Sequence, residues 1–137
     1  MIGSAFPAFS YPEAMGTDSV RSASLTGHPS VVVFWATWCP GCLTEMKMLK
    51  TLQTDTGFRG VGVALLSVDD PPAGVSLALP RLQIPYPVGV GAGPLLSSFQ
   101  LDEIPQSFVL DAKGVVRTAF TGEMTREALL AAVQRAR

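Results

Sequence analysis

The stretch Val31–Cys42, which reads VVVFWATWCPGC, decides the fold of this chain. Its first half, Val31–Ala36, is apolar at both odd and even positions, a pattern typical of a strand buried on both faces of a parallel or mixed sheet. Its second half contains the only two cysteines of the chain, Cys39 and Cys42. A strand that ends at Ala36 and a helix that begins near Cys39 place the first cysteine at a helix N-terminus.

This placement favours redox chemistry. Unpaired backbone N–H groups and the helix dipole point at the sulfur of Cys39 and stabilise its thiolate. Such settings lower the pKa of a cysteine from ~8.5 by roughly one to five units, and the thiolate is the nucleophile. Cys42 lies one turn further along the same face, where it forms the disulfide or attacks a mixed disulfide to release product. We therefore predict Cys39 as the attacking thiol and Cys42 as the resolving thiol, with Pro40 suited to the first helical turn.

The flanking pattern predicts a single α/β domain over residues 1–137, with the element order β-α-β-α followed by β-β-α. Residues 1–20 are predicted to be a loose lead-in, with short edge strands near Ala8–Tyr11 and Ser22–Leu25. The other predicted elements are a helix from Cys42 to about Leu52, a strand at Val61–Val68, a helix over 73–84 that Pro80 kinks or stops, a strand at Tyr86–Val90, a helical turn at Leu95–Phe99, strands at Ser107–Leu110 and Val115–Phe120, and a last helix capped by Thr125 that ends near Arg135.

Composition limits the function classes. The chain has a net charge of −1 and is 15% charged. It has no cluster of Lys and Arg, so nucleic-acid binding is not expected. No apolar run reaches the length of a membrane span, and the first twelve residues lack the features of a secretory signal. The sequence is compatible with a cytoplasmic protein or with an exported protein without its leader.

Three segments together resemble a known family: LTGHP at 25–29, FWATWCPGC at 34–42 and IPQSFVLD at 104–111. They are similar to the thioredoxin superfamily and, more narrowly, to the TlpA/ResA-like branch of bacterial thiol–disulfide oxidoreductases, which includes proteins dedicated to cytochrome c maturation. The resemblance covers roughly residues 20–137. It implies a thioredoxin fold, in which helices flank both faces of a central mixed β-sheet, here with an N-terminal extension.

The resemblance also implies a substrate-binding surface. Ile104-Pro105 corresponds to the cis-proline of the family, a bond that its surroundings must hold. Pro105 is then expected against the cysteine pair, and the backbone of residue 104 offers an open edge to an extended substrate segment. Trp38 is expected to flank and shield Cys39. Together with Pro40, these residues form the implied substrate-binding surface.

Glu45 is implied as a further catalytic residue, because a glutamate beside the active site occupies this position in the TlpA/ResA-like branch. It lies three residues past Cys42 on the same helix face, where it would handle the proton of Cys42 or raise the pKa values of the thiols. Ordinary thioredoxins have a buried Asp where this chain has Val33, and a Gly-Pro dipeptide where it has Pro40-Gly41. Both departures point away from a general cytosolic thioredoxin. Asp69-Asp70, at the same sheet end, is expected in a solvated loop.

The preferred function is exchange of the Cys39–Cys42 dithiol or disulfide with partner proteins, without a metal or an organic cofactor. The resemblance favours a monomeric reductase outside the cytoplasm that receives electrons from a membrane partner. An oxidase or an isomerase is compatible with the same residues. A metal-binding or metal-delivery module using the two cysteines is a further alternative, although zinc sites need four ligands and the only histidine, His28, is expected to be a turn residue.

Overall fold

The computed structural model describes residues 1–137 and contains a two-stranded and a five-stranded sheet. The elements are β1 Ser10–Pro12, β2 Ser19–Arg21, β3 Ser30–Trp35, α1 Pro40–Thr51, β4 Gly62–Ser67, α2 Ala73–Leu82, β5 Val88–Val90, α3 Gly93–Ser98, β6 Gln106–Leu110, β7 Val116–Thr121 and α4 Arg126–Ala136. None of the helices is both long and apolar enough to cross a membrane.

The larger sheet is mixed and has the strand order β5-β4-β3-β6-β7. Strands β3, β4 and β5 are parallel to one another, whereas β6 runs antiparallel to both β3 and β7. The central strand, β3, is buried along its whole length, as its apolar residues at both parities predict. The predicted thioredoxin-fold sheet is therefore confirmed.

Side chains of β3 alternate between two cores, because successive residues of a strand point to opposite faces. Val31, Val33 and Trp35 belong to the core that includes buried residues of α1, α2 and α4. Val32 and Phe34 belong to the core that includes α3 and the N-terminal segment. Helices thus cover both faces of the sheet, as expected for this fold class.

The prediction of a loose lead-in over residues 1–20 is wrong. Phe6 and Phe9 are each only 9% exposed, and the ring centroid of Phe6 lies 5.4 Å from that of Phe108 on β6. Both rings belong to the buried core that includes Phe108 and, on α3, Leu96. The strand predicted at Ser22–Leu25 is also wrong, since these residues form a 3₁₀ helix. The Ser22 hydroxyl accepts a hydrogen bond from the Phe9 amide (2.9 Å) and donates one to the Phe9 carbonyl (3.2 Å), so Ser22 ties this 3₁₀ helix to the N-terminal segment.

The strand register shows which loops meet at the end of the sheet that carries the cysteine motif. The register pairs Trp35 with Ser67, and Phe34 with Gln106. Gln106 in turn pairs with Thr121. Four loops therefore meet at this end of the sheet: those after β3, β4 and β7 and the one before β6. The Cys-Pro-Gly-Cys motif begins α1 at the same end.

Candidate functional site

The two cysteines form a disulfide with a Cα–Cα distance of 5.2 Å. Cys39 is the N-cap of α1, and its sulfur accepts a hydrogen bond from the Cys42 amide at 3.2 Å. Pro40 occupies the first turn of this helix, as predicted. Cys39 is 7% exposed and Cys42 is 0% exposed. Of the two residues, only Cys39 therefore keeps any exposure to solvent.

Ile104 and Pro105 lie beside this disulfide, joined by a cis peptide bond. The carbonyl oxygen of Ile104 is 3.8 Å from Sγ of Cys39. Neither the amide nor the carbonyl of Ile104 forms a backbone hydrogen bond. The carbonyl of Pro105 accepts a hydrogen bond from the Gly122 amide at 2.9 Å. The structure thus leaves one free backbone donor and one free acceptor next to the reactive sulfur.

Trp38 and Pro40 flank Cys39 in sequence, and both side chains are exposed. The indole of Trp38 is 68% exposed, whereas Trp35 on β3 is fully buried. Trp38 is therefore not a packing residue of the core. An exposed aromatic ring beside a disulfide offers a large apolar contact surface with a polar N–H group.

Glu45 is the buried carboxylate of the site, with only 2% of its surface exposed. Its Oε1 accepts a hydrogen bond from the Met124 amide at 3.0 Å, and its Oε2 accepts one from the Ser107 hydroxyl at 3.2 Å. Burial, with a smaller contribution from the negative charge of Glu123, raises the pKa of Glu45 to about 7 against the opposing effect of these two bonds. Since Ser107 pairs with Val33, α1 places this carboxylate over the strand position where ordinary thioredoxins have an Asp.

Glu123 is a residue of the site that sequence analysis missed. It is exposed, and a Cβ atom built on Gly41 would lie 3.1 Å from its Oε2. Its carboxylate therefore rests on the turn between the two cysteines. No signal in the sequence marks this contact, because it depends on how the β7–α4 loop meets the motif.

The expectation of a solvated loop at Asp69-Asp70 is wrong for Asp69 and correct for Asp70. Asp69 is 7% exposed, whereas Asp70 is exposed. The carboxylate of Asp69 accepts hydrogen bonds from the amide of Thr37 (3.1 Å), from the hydroxyl of Thr37 and from the hydroxyl of Ser67 (2.6 Å). It thereby fixes the chain two residues before Cys39.

His28 lies away from the redox pair. It precedes the first residue of β3, whereas Cys39 follows the last residue of that strand. Its Nδ1 is 3.2 Å from the Pro29 carbonyl oxygen and 3.4 Å from the Ser30 hydroxyl. The structure does not bring this side chain to the cysteines.

Comparisons with known proteins agree with this geometry. The family model described as Redoxin matches residues 1–134. The thiol:disulfide interchange protein DsbE of Pseudomonas fluorescens biotype C is 33% identical over 124 residues, which are 89% of this chain and 67% of that protein. The thiol-disulfide oxidoreductase ResA of Geobacillus kaustophilus (strain HTA426) is 27% identical over 127 residues, covering 92% of this chain and 72% of that protein.

Among solved structures, a thiol:disulfide interchange protein of the thioredoxin family from Chlorobium tepidum TLS superimposes with a TM-score of 0.78 at 28% sequence identity, covering 99% of this chain and 97% of that one. These relatives are named for thiol–disulfide exchange, the reaction that a redox-active cysteine pair performs. The chain therefore belongs to the Redoxin family, as a thiol–disulfide oxidoreductase similar to ResA and DsbE.

Proposed function

We propose that the protein exchanges disulfides through nucleophilic chemistry at Cys39, with Cys42 as the resolving thiol. The observation that carries this assignment is the difference in exposure between the two sulfur-bearing residues, 7% for Cys39 against 0% for Cys42. An attacking group must approach a disulfide sulfur directly, so access selects Cys39. The helix N-terminus at Cys39 then stabilises its thiolate after reduction.

In the reaction that opens the enzyme disulfide, an incoming thiolate forms a bond to the sulfur of Cys39. The sulfur of Cys42 leaves with the bonding electron pair and takes up a proton. In the reverse reaction, the thiol of Cys42 loses this proton and its thiolate attacks Cys39 in the mixed disulfide, which releases the partner as a thiolate. Each exchange transfers two electrons without a metal or an organic cofactor.

Glu45 is the proposed donor and acceptor of that proton. It lies one helical turn past Cys42, on the same face of α1. Because the pKa of Glu45 is about 7, both its acid and its base form are populated near neutral pH. A group with a pKa near the working pH serves proton transfer in both directions.

The proposed substrate-binding surface consists of Trp38, Pro40, Ile104 and Pro105. The free amide and carbonyl of Ile104 would pair with an extended substrate segment, as an added strand pairs with a sheet edge. The exposed indole of Trp38 would supply apolar contact on the other side of the motif. This arrangement presents a substrate disulfide to Cys39.

The similarity to ResA and DsbE supports a reductase that works outside the cytoplasm, including in cytochrome c maturation, with a membrane protein as its electron donor. We propose that it works as a monomer and as a single domain over residues 1–137. The site supports this, because one chain supplies all its members and the N-terminal segment packs on the same sheet. The alternatives to a reductase are an oxidase and an isomerase, and the alternative location is the cytoplasm.

Cys42→Ser tests the roles of the two cysteines. This variant keeps Cys39 and lacks the resolving thiol, so it should accumulate a mixed disulfide with its protein substrate, identified by mass spectrometry. Cys39→Ser is the matched control and should trap none. Trapping through Cys42 in the control would reverse the assignment.

The reduction potential of the wild-type Cys39–Cys42 pair tests the direction of electron flow. About 30 mV corresponds to a tenfold change in the exchange equilibrium, and a strongly oxidising value contradicts a reductase.

A further inference from the structure

In the loop between β7 and α4, the three residues 122–124 contact three separate parts of the redox site. The amide of Gly122 donates a hydrogen bond to the Pro105 carbonyl at 2.9 Å. The amide of Met124 donates one to Oε1 of Glu45 at 3.0 Å. Between them, the carboxylate of Glu123 lies against Gly41. Three consecutive residues therefore tie together the cis-proline, the buried carboxylate and the turn of the disulfide.

Glu123 is the charged member of this loop. The ion pairs of the structure are Arg21–Asp18, Arg117–Asp111 and Arg126–Asp55, so none of them neutralises Glu123. Its carboxylate is therefore an uncompensated negative charge placed on the motif.

Glu45 has no charged hydrogen-bond partner. Its hydrogen-bond partners, the Ser107 hydroxyl and the Met124 amide, are neutral, and on its own helix Cys42 precedes it by one turn. Burial is the largest cause of the raised pKa of Glu45, and Glu123 is the one charged group that contributes to it. A second carboxylate nearby disfavours ionisation of the first.

We propose that Glu123 is a positioning residue of the exchange reaction, which acts through Glu45: its carboxylate, held against Gly41, keeps the proton on Glu45 until the leaving Cys42 sulfur takes it. This inference rests on the proton role proposed for Glu45. It assigns to an exposed loop residue a part in the chemistry of a buried group.

The direction of the effect follows from the proton's path. When an incoming thiolate attacks Cys39, the Cys42 sulfur leaves with the bonding electron pair and receives the proton from Glu45, which becomes a carboxylate. When Cys42 resolves a mixed disulfide, its thiol gives the proton back to Glu45. Removing the charge of Glu123 should therefore slow the first step and speed the second at pH 7, because it leaves more Glu45 ionised.

The test compares Glu123→Gln with Glu127→Gln. Glu127 is also exposed, lies in the first turn of α4 and is absent from the contacts of the site, so its variant removes the same charge elsewhere. Reduction of the oxidised protein by dithiothreitol measures the first step. Release of the second thionitrobenzoate after the reduced protein attacks Ellman's reagent measures the second. We expect changes of about two- to threefold in opposite directions for Glu123→Gln, and none for Glu127→Gln.

Carboxyl titration by ¹³C NMR reports the coupling directly and does not depend on turnover. Glu45 should titrate at lower pH in Glu123→Gln than in the wild type or in Glu127→Gln, and Glu123→Asp should restore most of the wild-type titration. An unchanged titration, an equal change in the Glu127 variant, or two rates that fall together would overturn the inference. Failure of the proposed function has a separate signature: Glu45→Gln would leave both rates and their pH dependence as in the wild type.

Discussion

The amide of Met124 donates a hydrogen bond of 3.0 Å to Oε1 of Glu45, although 79 residues separate the two in sequence. This bond joins the loop before the last helix to the helix that carries the cysteines. The Ser107 hydroxyl holds the second carboxylate oxygen from β6. Glu45 is thus fixed by two elements from the C-terminal half of the chain, and its acid–base behaviour depends on both.

The unfolding free energy should fall as pH rises from about 4.5 to above about 7, in part because of Glu45. Its pKa is about 7 in the folded protein and near the ordinary value of 4.5 in the unfolded chain. The folded state therefore binds the proton more tightly, and the stabilisation by the neutral form is complete below pH 4.5 and lost as pH passes through about 7. A shift of this size corresponds to roughly 3 kcal/mol.

Glu45→Gln should remove that part of the pH dependence, because an uncharged amide of similar shape keeps an acceptor for the Met124 amide. We expect the variant to be more stable than the wild type at pH 8 and less active at pH 7. Urea unfolding at pH 5 and pH 8 measures the first effect. Parallel stability profiles for the two proteins between these pH values would contradict it.

The sequence predicts the motif more reliably than its surroundings. Cys39, Cys42 and Pro40 lie where a local pattern of strand and helix puts them. Helical spacing places Glu45 on the face of Cys42, and the resemblance to the TlpA/ResA-like branch implies its role. Glu123 carries no such signal. It lies more than 80 positions after the motif, and the two are neighbours only once the β7–α4 loop has folded against the start of α1. Contacts of this kind depend on sheet register, which a short segment does not encode.

The same limit explains the error at Asp69. Its position after an apolar strand is a feature of many solvated loops, and its burial depends on the Thr37 amide and hydroxyl on the neighbouring strand's loop. The burial of Phe6 was not predicted for a related reason. Isolated aromatic residues in a segment without periodicity give no helix or strand signal, although they bury large apolar surfaces.

Asp69→Ala should destabilise the fold by about 2 kcal/mol, because it leaves the half-buried amide of Thr37 and the buried hydroxyl of Ser67 without their acceptor. Exchange should also slow, since Thr37 lies two residues before the nucleophile. Asp70→Ala is the matched control at an exposed neighbouring carboxylate. Equal unfolding midpoints for the two variants would show that the Asp69 contacts contribute nothing beyond surface charge.

Phe6→Ala should destabilise the protein by roughly 3 kcal/mol, the usual cost of truncating a buried phenylalanine. Its ring packs on Phe9, Phe99 and Phe108 at centroid distances of 5.4 to 5.9 Å. Ile2→Ala removes an apolar side chain that is 65% exposed and should change the unfolding free energy by less than about 0.5 kcal/mol. Thermal or urea unfolding decides the matter, and a small effect for Phe6→Ala would mean that the N-terminal segment is dispensable for stability.

Trp38→Ala should weaken the reaction with protein substrates while leaving stability nearly unchanged. The indole is 68% exposed, so its loss creates no cavity in the core. An interfacial tryptophan is nevertheless a frequent source of binding energy, and its truncation often costs about 2 kcal/mol or more, which would raise KM by about thirtyfold or more. The rate with dithiothreitol should change less, because a small dithiol does not span the surface around Cys39.

Leu77→Ala on α2 is the matched control for Trp38, since Leu77 is an exposed apolar side chain at 80% and lies outside the site. Its KM for a protein disulfide should equal that of the wild type. Steady-state kinetics with one folded disulfide-containing protein and with dithiothreitol separate docking from chemistry. Should Trp38→Ala slow both substrates by the same factor, the indole would act on the disulfide itself, and the substrate-binding surface would have to be sought at Ile104 and Pro105 alone.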